Sequence, residues 1–231
     1  MVNGWLKTIQ NMPKETFPCL LCQAETEGAL CLDCQKDLPW IEGTCCNCCS
    51  IPLSAGHTCG RCLKSPPEFD HCVALFHYSN PVEWMIKRLK FQGGLVYGEA
   101  LGNLMAEFLP QRERFCRPDV ILPVPLHFSR LKSRGYNQSV ELARPIVNRL
   151  GLKMCSLGVE RVLATTEQSG LPSKLRHQNV LNAFKVKKDF SDMNVVIVDD
   201  VMTTGATVNE MAKHLKKAKA RRVDVWVVAR S

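Results

Sequence analysis

Residues 193–215 read MNVVIVDDVMTTGATVNEMAKHL, and this stretch decides the fold. Four consecutive β-branched residues, Val195 to Val198, predict a strand buried on both faces. Beyond a short loop, Val208, Met211, Ala212 and Leu215 fall on one face of a helix, and residues 223–229 (VDVWVVA) predict a second buried strand. The unit is therefore strand, loop, helix, strand, with the two strands parallel. The loop Thr203-Thr204-Gly205-Ala206-Thr207 joins a strand end to a helix start, where unpaired N–H groups and the positive end of the helix form an anion cradle. A phosphate fits there. Gly205 lets the backbone approach closely, and the threonine hydroxyls add donors. Asp199 and Asp200 precede the loop at the C-terminal end of the strand, where open α/β sheets bind ligands, and can accept hydrogen bonds from sugar hydroxyls.

A bare T-T-G-x-T would describe a capped helix and nothing more. Here it completes a thirteen-residue pattern of four apolar residues, two acids, two apolar residues and T-T-G-x-T. That pattern resembles the signature by which type I phosphoribosyltransferases bind 5-phosphoribosyl-1-pyrophosphate (PRPP). The resemblance implies that Asp199 and Asp200 hold the ribose 2′- and 3′-hydroxyls while residues 203 to 207 grip the 5′-phosphate.

The chain has two compositional halves. Eleven of its 13 cysteines precede Val73, and only Cys116 and Cys155 follow it. Residues 1–72 carry five Lys/Arg against eight Asp/Glu, whereas residues 73–231 carry 25 against 14, so the basicity behind the net charge of +8 belongs to the larger half. Such a field suits a phosphorylated metabolite or a nucleic acid and does not distinguish them. Residues 1–10 (MVNGWLKTIQ) lack a continuous apolar core, and no later run is long enough to span a bilayer, so a cytoplasmic protein without membrane insertion is expected. In that compartment a cysteine-dense segment holds metal more often than disulfides.

The cysteines repeat. Cys19-x-x-Cys22 and Cys31-x-x-Cys34 are separated by eight residues, and Cys46-x-x-Cys49 and Cys59-x-x-Cys62 by nine. Two such knuckles make a closed four-sulfur site, so one or two structural zinc ions are expected, with sequential pairing favoured over crossed pairing. Cys45 and Cys48 form an overlapping C-x-x-C one position earlier, which leaves the third knuckle open from spacing alone. His57 is a candidate substitute ligand, although a plain loop histidine is the simpler reading. The acidity of this half argues against direct phosphate-backbone binding by the ribbons.

Residues 119–126 (DVILPVPL) predict another buried strand, followed by a basic stretch with Arg130, Lys132 and Arg134 and then Gly135-Tyr136-Asn137-Gln138. A helix is expected from about Asn137, with Val140, Ala143, Val147 and Leu150 inward. A basic loop after a strand suits charge neutralisation of a pyrophosphate leaving group, while a solvated basic helix start is the plainer reading for each cation singly. The run Lys213, Lys216, Lys217, Lys219, Arg221 and Arg222 at a helix C-terminus is best explained as a solvated face that complements the helix dipole. Polar residues between Thr165 and Phe184 predict a mobile hood over the site.

The cysteine repeat, Leu89-Lys90-Phe91, Val124-Pro125-Leu126, Arg134-Gly135-Tyr136-Asn137-Gln138, Gln168, Arg176, Asn179, Ala183-Phe184 and the phosphate loop together resemble the ComF family across nearly the whole chain. The resemblance implies a type I phosphoribosyltransferase-like parallel sheet flanked by helices, carrying a small N-terminal zinc-ribbon domain. The corresponding domains are residues 1–66, tail plus double ribbon, and 67–231. It selects Cys46 and Cys49 as the third knuckle, and where members typically have Gly-x-Pro-Leu after it, this chain has Ser50-Ile51-Pro52-Leu53. It also implies a link with DNA uptake, with PRPP bound by residues 203–207 together with Lys90, Arg130 and Arg134. As an enzyme, such a protein would use Mg²⁺ with PRPP and transfer the pentosyl group to an unread nitrogen nucleophile. A non-catalytic PRPP sensor and a factor that handles single-stranded DNA, or DNA-uptake proteins as partners, are the alternatives.

Overall fold

The computed structural model describes residues 15–113, 115–164 and 180–231. The chain divides into two compact units, one ending at Leu38 and one covering Pro39–Ser231. The division falls inside the cysteine-rich segment, between its second and third knuckles. In the first unit, β1 (Phe17–Pro18) pairs antiparallel with β2 (Glu25–Thr26), and a short helix α1 (Leu32–Lys36) follows.

The second unit contains α2 (Gly60–Lys64), β3 (His71–His77), α3 (Val82–Phe91), α4 (Leu95–Phe108), β4 (Val120–Pro123), α5 (Phe128–Arg134), α6 (Gln138–Leu150), β5 (Val159–Arg161), β6 (Phe184–Val186), β7 (Asn194–Met202), α7 (Ala206–Lys217) and β8 (Arg222–Arg230). The main sheet has the order β3-β8-β7-β4 and is parallel throughout, as the apolar runs predict. β5 and β6 form a separate antiparallel pair.

The central strand β7 has Val195 to Val198 buried between β4 and β8, the pattern of a strand covered on both faces. It is longer than its β-branched core. Pairing of Asp199 with Val227 and of Met202 with Arg230 carries both acids inside the ladder. β4 stops at Pro123, and Val124 still donates its N–H to the Val198 carbonyl (2.9 Å). Proline lacks an N–H, so Pro123 and Pro125 leave this end of the sheet open.

The inward face of α7 is the predicted one: Val208, Met211, Ala212 and Leu215 are all buried. On α6 the buried set is Gln138, Ser139, Leu142, Ala143 and Ile146, so only Ala143 of the expected four lies fully inside. The inward stripe runs through Ser139, Leu142, Ala143 and Ile146, and the Ser139 hydroxyl donates to Asp199 on β7 (3.0 Å). The third and fourth knuckles are part of the sheet's own core, where Cys46, Cys49 and Cys62 pack with Phe69, Cys72, Val225 and Val227.

α4 and α6 meet at Gly102, where an added Cβ would lie 2.6 Å from the Leu142 carbonyl oxygen and 2.9 Å from Pro145 Cγ. Gly102→Ala gains about 1 kcal/mol of helix propensity, but a clash with backbone cannot be relieved by a rotamer change and costs about 1–3 kcal/mol. Net destabilisation is therefore expected, read as a lower urea midpoint at unchanged slope; an unchanged or raised midpoint would contradict this packing.

Candidate functional site

The end of β7 concentrates the chemistry. Asp199 and Asp200 are both buried, and their Oδ1 atoms accept from the next backbone N–H, Asp200 N at 2.9 Å and Val201 N at 2.7 Å. Asp199 Oδ1 also accepts from the Ser139 hydroxyl (3.0 Å), and Asp200 Oδ2 lies 2.7 Å from Lys90 Nζ at the end of α3. Burial, then the neighbouring Asp200 charge, pushes the Asp199 carboxyl up to about 7, although Lys90 and Ser139 pull the other way. Burial opposes the Lys90 charge, yet the Asp200 carboxylate outweighs it and holds the ammonium above its ordinary range.

Thr203, Thr204 and Gly205 form the turn out of β7, and Ala206 and Thr207 begin α7. Gly205 has φ +78°, a left-handed conformation that glycine adopts without strain, and it occupies the N-cap position. The Ala206 N–H is 3.3 Å from Thr204 Oγ1 and Asn209 N donates to the Gly205 carbonyl (2.9 Å). The predicted cradle is thus a strand end, a three-residue turn and the first turn of a helix.

Lys90 from the end of α3 and Arg130 and Arg134 from α5 line one cavity of about 330 Å³ with Phe91, Gly93, Ser133 and Tyr136. Lys90 belongs both to this cavity and to the Asp200 pair. The segment Arg134-Gly135-Tyr136-Asn137-Gln138 builds the wall. Arg134 lies over the Phe91 ring (5.5 Å) and donates to Gln138 Oε1 (2.7 Å), while Gly135 ends α5 at φ +82°. Tyr136 donates its hydroxyl to the Leu89 carbonyl, which fixes the turn beside Lys90. Asn137 caps α6 by accepting from Ser139 N (2.9 Å) and donates to the Val124 carbonyl (3.0 Å), fastening the helix to the end of β4.

Two site residues escaped the sequence reading. Ser139 is fully buried, and its signal was the helical spacing of Ser139, Leu142, Ala143 and Ile146, which makes serine part of an inward stripe. Arg161, on β5, packs its guanidinium over the Phe184 ring (5.7 Å), close enough to Arg130 and Asp199 for both charges to act on it. Burial foremost, then Arg130, lowers its pKa. No local pattern marks it. Residues 165–179, the larger part of the expected hood with Gln168, Arg176 and Asn179, lie outside the described residues. In the basic run, Lys216 reaches Asp70 (2.5 Å), Arg221 reaches Asn194 (3.0 Å) and Arg222 reaches Asp224 (2.9 Å), which fits a surface network.

The cysteine sulfurs gather in sequential pairing. Those of Cys19, Cys22, Cys31 and Cys34 lie within 4.8 Å of one another, and so do those of Cys46, Cys49, Cys59 and Cys62. The Cys22–Cys31 and Cys49–Cys59 sulfur separations are 3.6 and 3.8 Å. A tetrahedron with bonds of about 2.3 Å has edges of about 3.8 Å, so both tetrads fit structural zinc. Backbone N–H groups of Cys31 and Cys59 point at the Cys19 and Cys46 sulfurs, each at 3.3 Å. Burial opposes thiolate formation at these two, but such N–H donors win and lower each to about 6. Cys45 lies 3.9 Å from the Gly43 carbonyl, outside the tetrad, and His57 is a loop residue whose carbonyl accepts from Asn47 N. Ser50, at the position where glycine was expected, has φ +55° and donates its hydroxyl to the Cys72 carbonyl (2.5 Å).

Each tetrad should hold its ion independently: Cys31→Ser and Cys59→Ser are each expected to lower bound zinc from two equivalents to one, by metal analysis of the purified protein. Loss of both ions in either variant, or of neither, would contradict sequential pairing. A second expectation concerns Ser139→Ala. Because the hydroxyl favours ionised Asp199, the variant should lose about 1.5–3 kcal/mol where Asp199 is charged, near pH 8, and about 0.5–1.5 kcal/mol where it is neutral, near pH 5. Equal losses in urea unfolding at the two pH values would exclude that sign.

A phosphoribosyl transferase domain model matches residues 136–231, and a double zinc ribbon domain model matches residues 12–63. The chain is 35% identical over 224 residues to Competence protein F of Haemophilus influenzae, covering 93% of this chain and 97% of that one. It is 36% identical over 220 residues to DNA utilization protein YhgH of Escherichia coli K12, covering 92% and 96%. Against Competence protein ComFC of Streptococcus pneumoniae the identity is 26% over 220 residues, covering 93% and 94%. With its parallel sheet, paired cysteine tetrads and these full-length likenesses, the chain belongs to the Competence protein F and YhgH family, which joins a double zinc ribbon to a phosphoribosyltransferase fold.

Proposed function

We propose that the protein binds PRPP at the end of β7, with Asp199 and Asp200 receiving the ribose hydroxyls, residues 203–207 the 5′-phosphate, and Lys90, Arg130 and Arg134 the pyrophosphate. The observation that carries this reading is the convergence of those three cations on one cavity, with Lys90 also 2.7 Å from Asp200. A ribose held at the two acids would place a phosphoryl group at each side, one over the start of α7 and one toward the basic wall. Arg161 adds positive charge within electrostatic reach of Asp199 and Arg130.

Magnesium, when bound, would neutralise pyrophosphate charge as it departs. Both Asp Oδ1 atoms accept from backbone N–H groups and Asp200 Oδ2 pairs with Lys90, so phosphate oxygens of the ligand and water would supply much of the oxygen donor set for such an ion. The chemistry open to this arrangement is displacement of pyrophosphate from ribose C1 by a nitrogen nucleophile through an oxocarbenium-like state. The residues hold the two ends of the sugar while cations stabilise the leaving group.

The relatives' names, competence and DNA utilisation, support a role in handling imported DNA or its products. No helix among the described residues is long and apolar enough to cross a membrane. The grouping of the cysteines as metal-binding tetrads instead of disulfides supports a cytoplasmic reading.

Replacing both Asp199 and Asp200 by Asn should weaken PRPP binding at least about tenfold, the loss expected for hydrogen bonds to charged groups, while bound zinc stays unchanged. Calorimetry with Mg²⁺ and PRPP measures this, and unaltered affinity would refute the site. Labelled PRPP with a mixture of nitrogen bases then separates the roles: pyrophosphate release that requires Asp200 identifies an enzyme, and saturable binding without turnover identifies a sensor.

A further inference from the structure

Arg230 is the last residue of β8, is 4% exposed, and spends its guanidinium on backbone carbonyls. Nε donates to the Cys49 carbonyl (3.0 Å), and Nη1 to the carbonyls of Met202 (2.7 Å) and Thr203. Cys49 belongs to the second tetrad, while Met202 and Thr203 are the last strand residue and the first turn residue before the phosphate cradle. One buried cation therefore joins a metal knuckle to the cradle.

A second connection runs beside it. The Ser50 hydroxyl donates to the Cys72 carbonyl (2.5 Å), and the Cys72 sulfur lies 4.0 Å from the Met202 sulfur. Met202 in turn lies under Gly205, where an added Cβ would stand 3.4 Å from its sulfur. Both connections start at consecutive residues of the knuckle and end at the turn.

From this geometry we infer that Arg230 is a positioning residue through which the metal state of the second tetrad sets the affinity of the phosphate cradle. The inference rests on PRPP binding at that cradle. The bistable element is the knuckle, since four sulfurs share one geometry around an ion and lose that common centre without it. If the Cys49 carbonyl moves away, Arg230 keeps a buried donor unmatched, and its demand falls on the Met202 and Thr203 carbonyls that shape the turn. Coupling of this kind is reciprocal: whatever factor zinc adds to PRPP affinity, PRPP must add to zinc affinity at the second tetrad.

That reciprocity supplies a test without turnover. In full-length protein with Cys22→Ser and Cys34→Ser, only the second tetrad holds metal, and its zinc affinity is measured by competition with a chromophoric chelator with and without Mg²⁺ and PRPP. Asp199→Asn/Asp200→Asn in the same background controls for chelation of zinc by PRPP itself. The expected result is an affinity gain of about fivefold or more that the Asn pair abolishes. Arg230→Lys, which retains the charge but not the fork of donors, should bring the gain close to one while zinc and PRPP each still bind. Calorimetric binding of PRPP with no change in zinc affinity would overturn the coupling and leave the binding site standing. Absence of any PRPP binding would overturn both. A gain that persists in Arg230→Lys would overturn the role of Arg230; should that variant fail to fold, the comparison with and without PRPP in the Arg230 protein still decides whether the coupling exists.

Discussion

Two adjacent carboxylates, buried at the end of a strand paired on both edges, set the terms for the rest of this molecule. A lone buried carboxylate is costly, and two in sequence are worse, because each ionised group raises the work of ionising the other. The protein answers with fixed donors on the Oδ1 atoms, the Ser139 hydroxyl on Asp199 and an ammonium 2.7 Å from Asp200. The compensation is partial, since Asp199 remains pushed up to about 7. Residual negative potential in a basic surround suits a ligand that brings hydroxyl donors at its middle and phosphate charge at its ends.

Much of the local structure exists to hold that compensation in place. Lys90 sits at the end of α3, and Tyr136 pins the Leu89 carbonyl next to it. Asn137 ties the start of α6 to the end of β4, which brings Ser139, two residues later, under Asp199. Thus the segment from Arg134 to Ser139 contributes one cavity wall, one helix cap and one carboxylate partner within six consecutive residues. Within it Arg134 supplies the charge that lines the proposed pyrophosphate cavity, Tyr136 lines the same cavity, and Asn137 and Ser139 align the neighbouring elements.

What the sequence made legible follows from how local each signal is. The β7 turn and α7 could be read because period, glycine and threonines lie within one window, and α7 buries the predicted face. The cysteine pairing could be read because ligands of one ion recur at short spacing, and the structure agrees for both tetrads. α6 was read less well: Val140, Val147 and Leu150 are apolar, but the buried face runs through Leu142, Ala143 and Ile146 and includes Ser139, whose hydroxyl reaches Asp199. Lys90 entered only by likeness to a family, since its partner is more than a hundred positions away. Arg161 and Arg230 had no local signal except a charge at the edge of an apolar run, and their roles depend on strands brought together by the sheet.

The two cysteine tetrads have the same ligand spacing and different surroundings, and that difference assigns them different work. Among the described residues of the first unit, Cys19, Leu30 and Leu38 are the buried ones, which is too little apolar surface to hold so short a segment together. There the metal stands in for a core. In the second tetrad, Cys46, Cys49 and Cys62 are embedded among sheet residues that bury one another whether or not an ion is present. Metal is not needed there to gather the chain, so what it adds is geometry: the direction of the Cys49 carbonyl and the register of Ser50, which the end of β7 shares through Arg230 and Cys72.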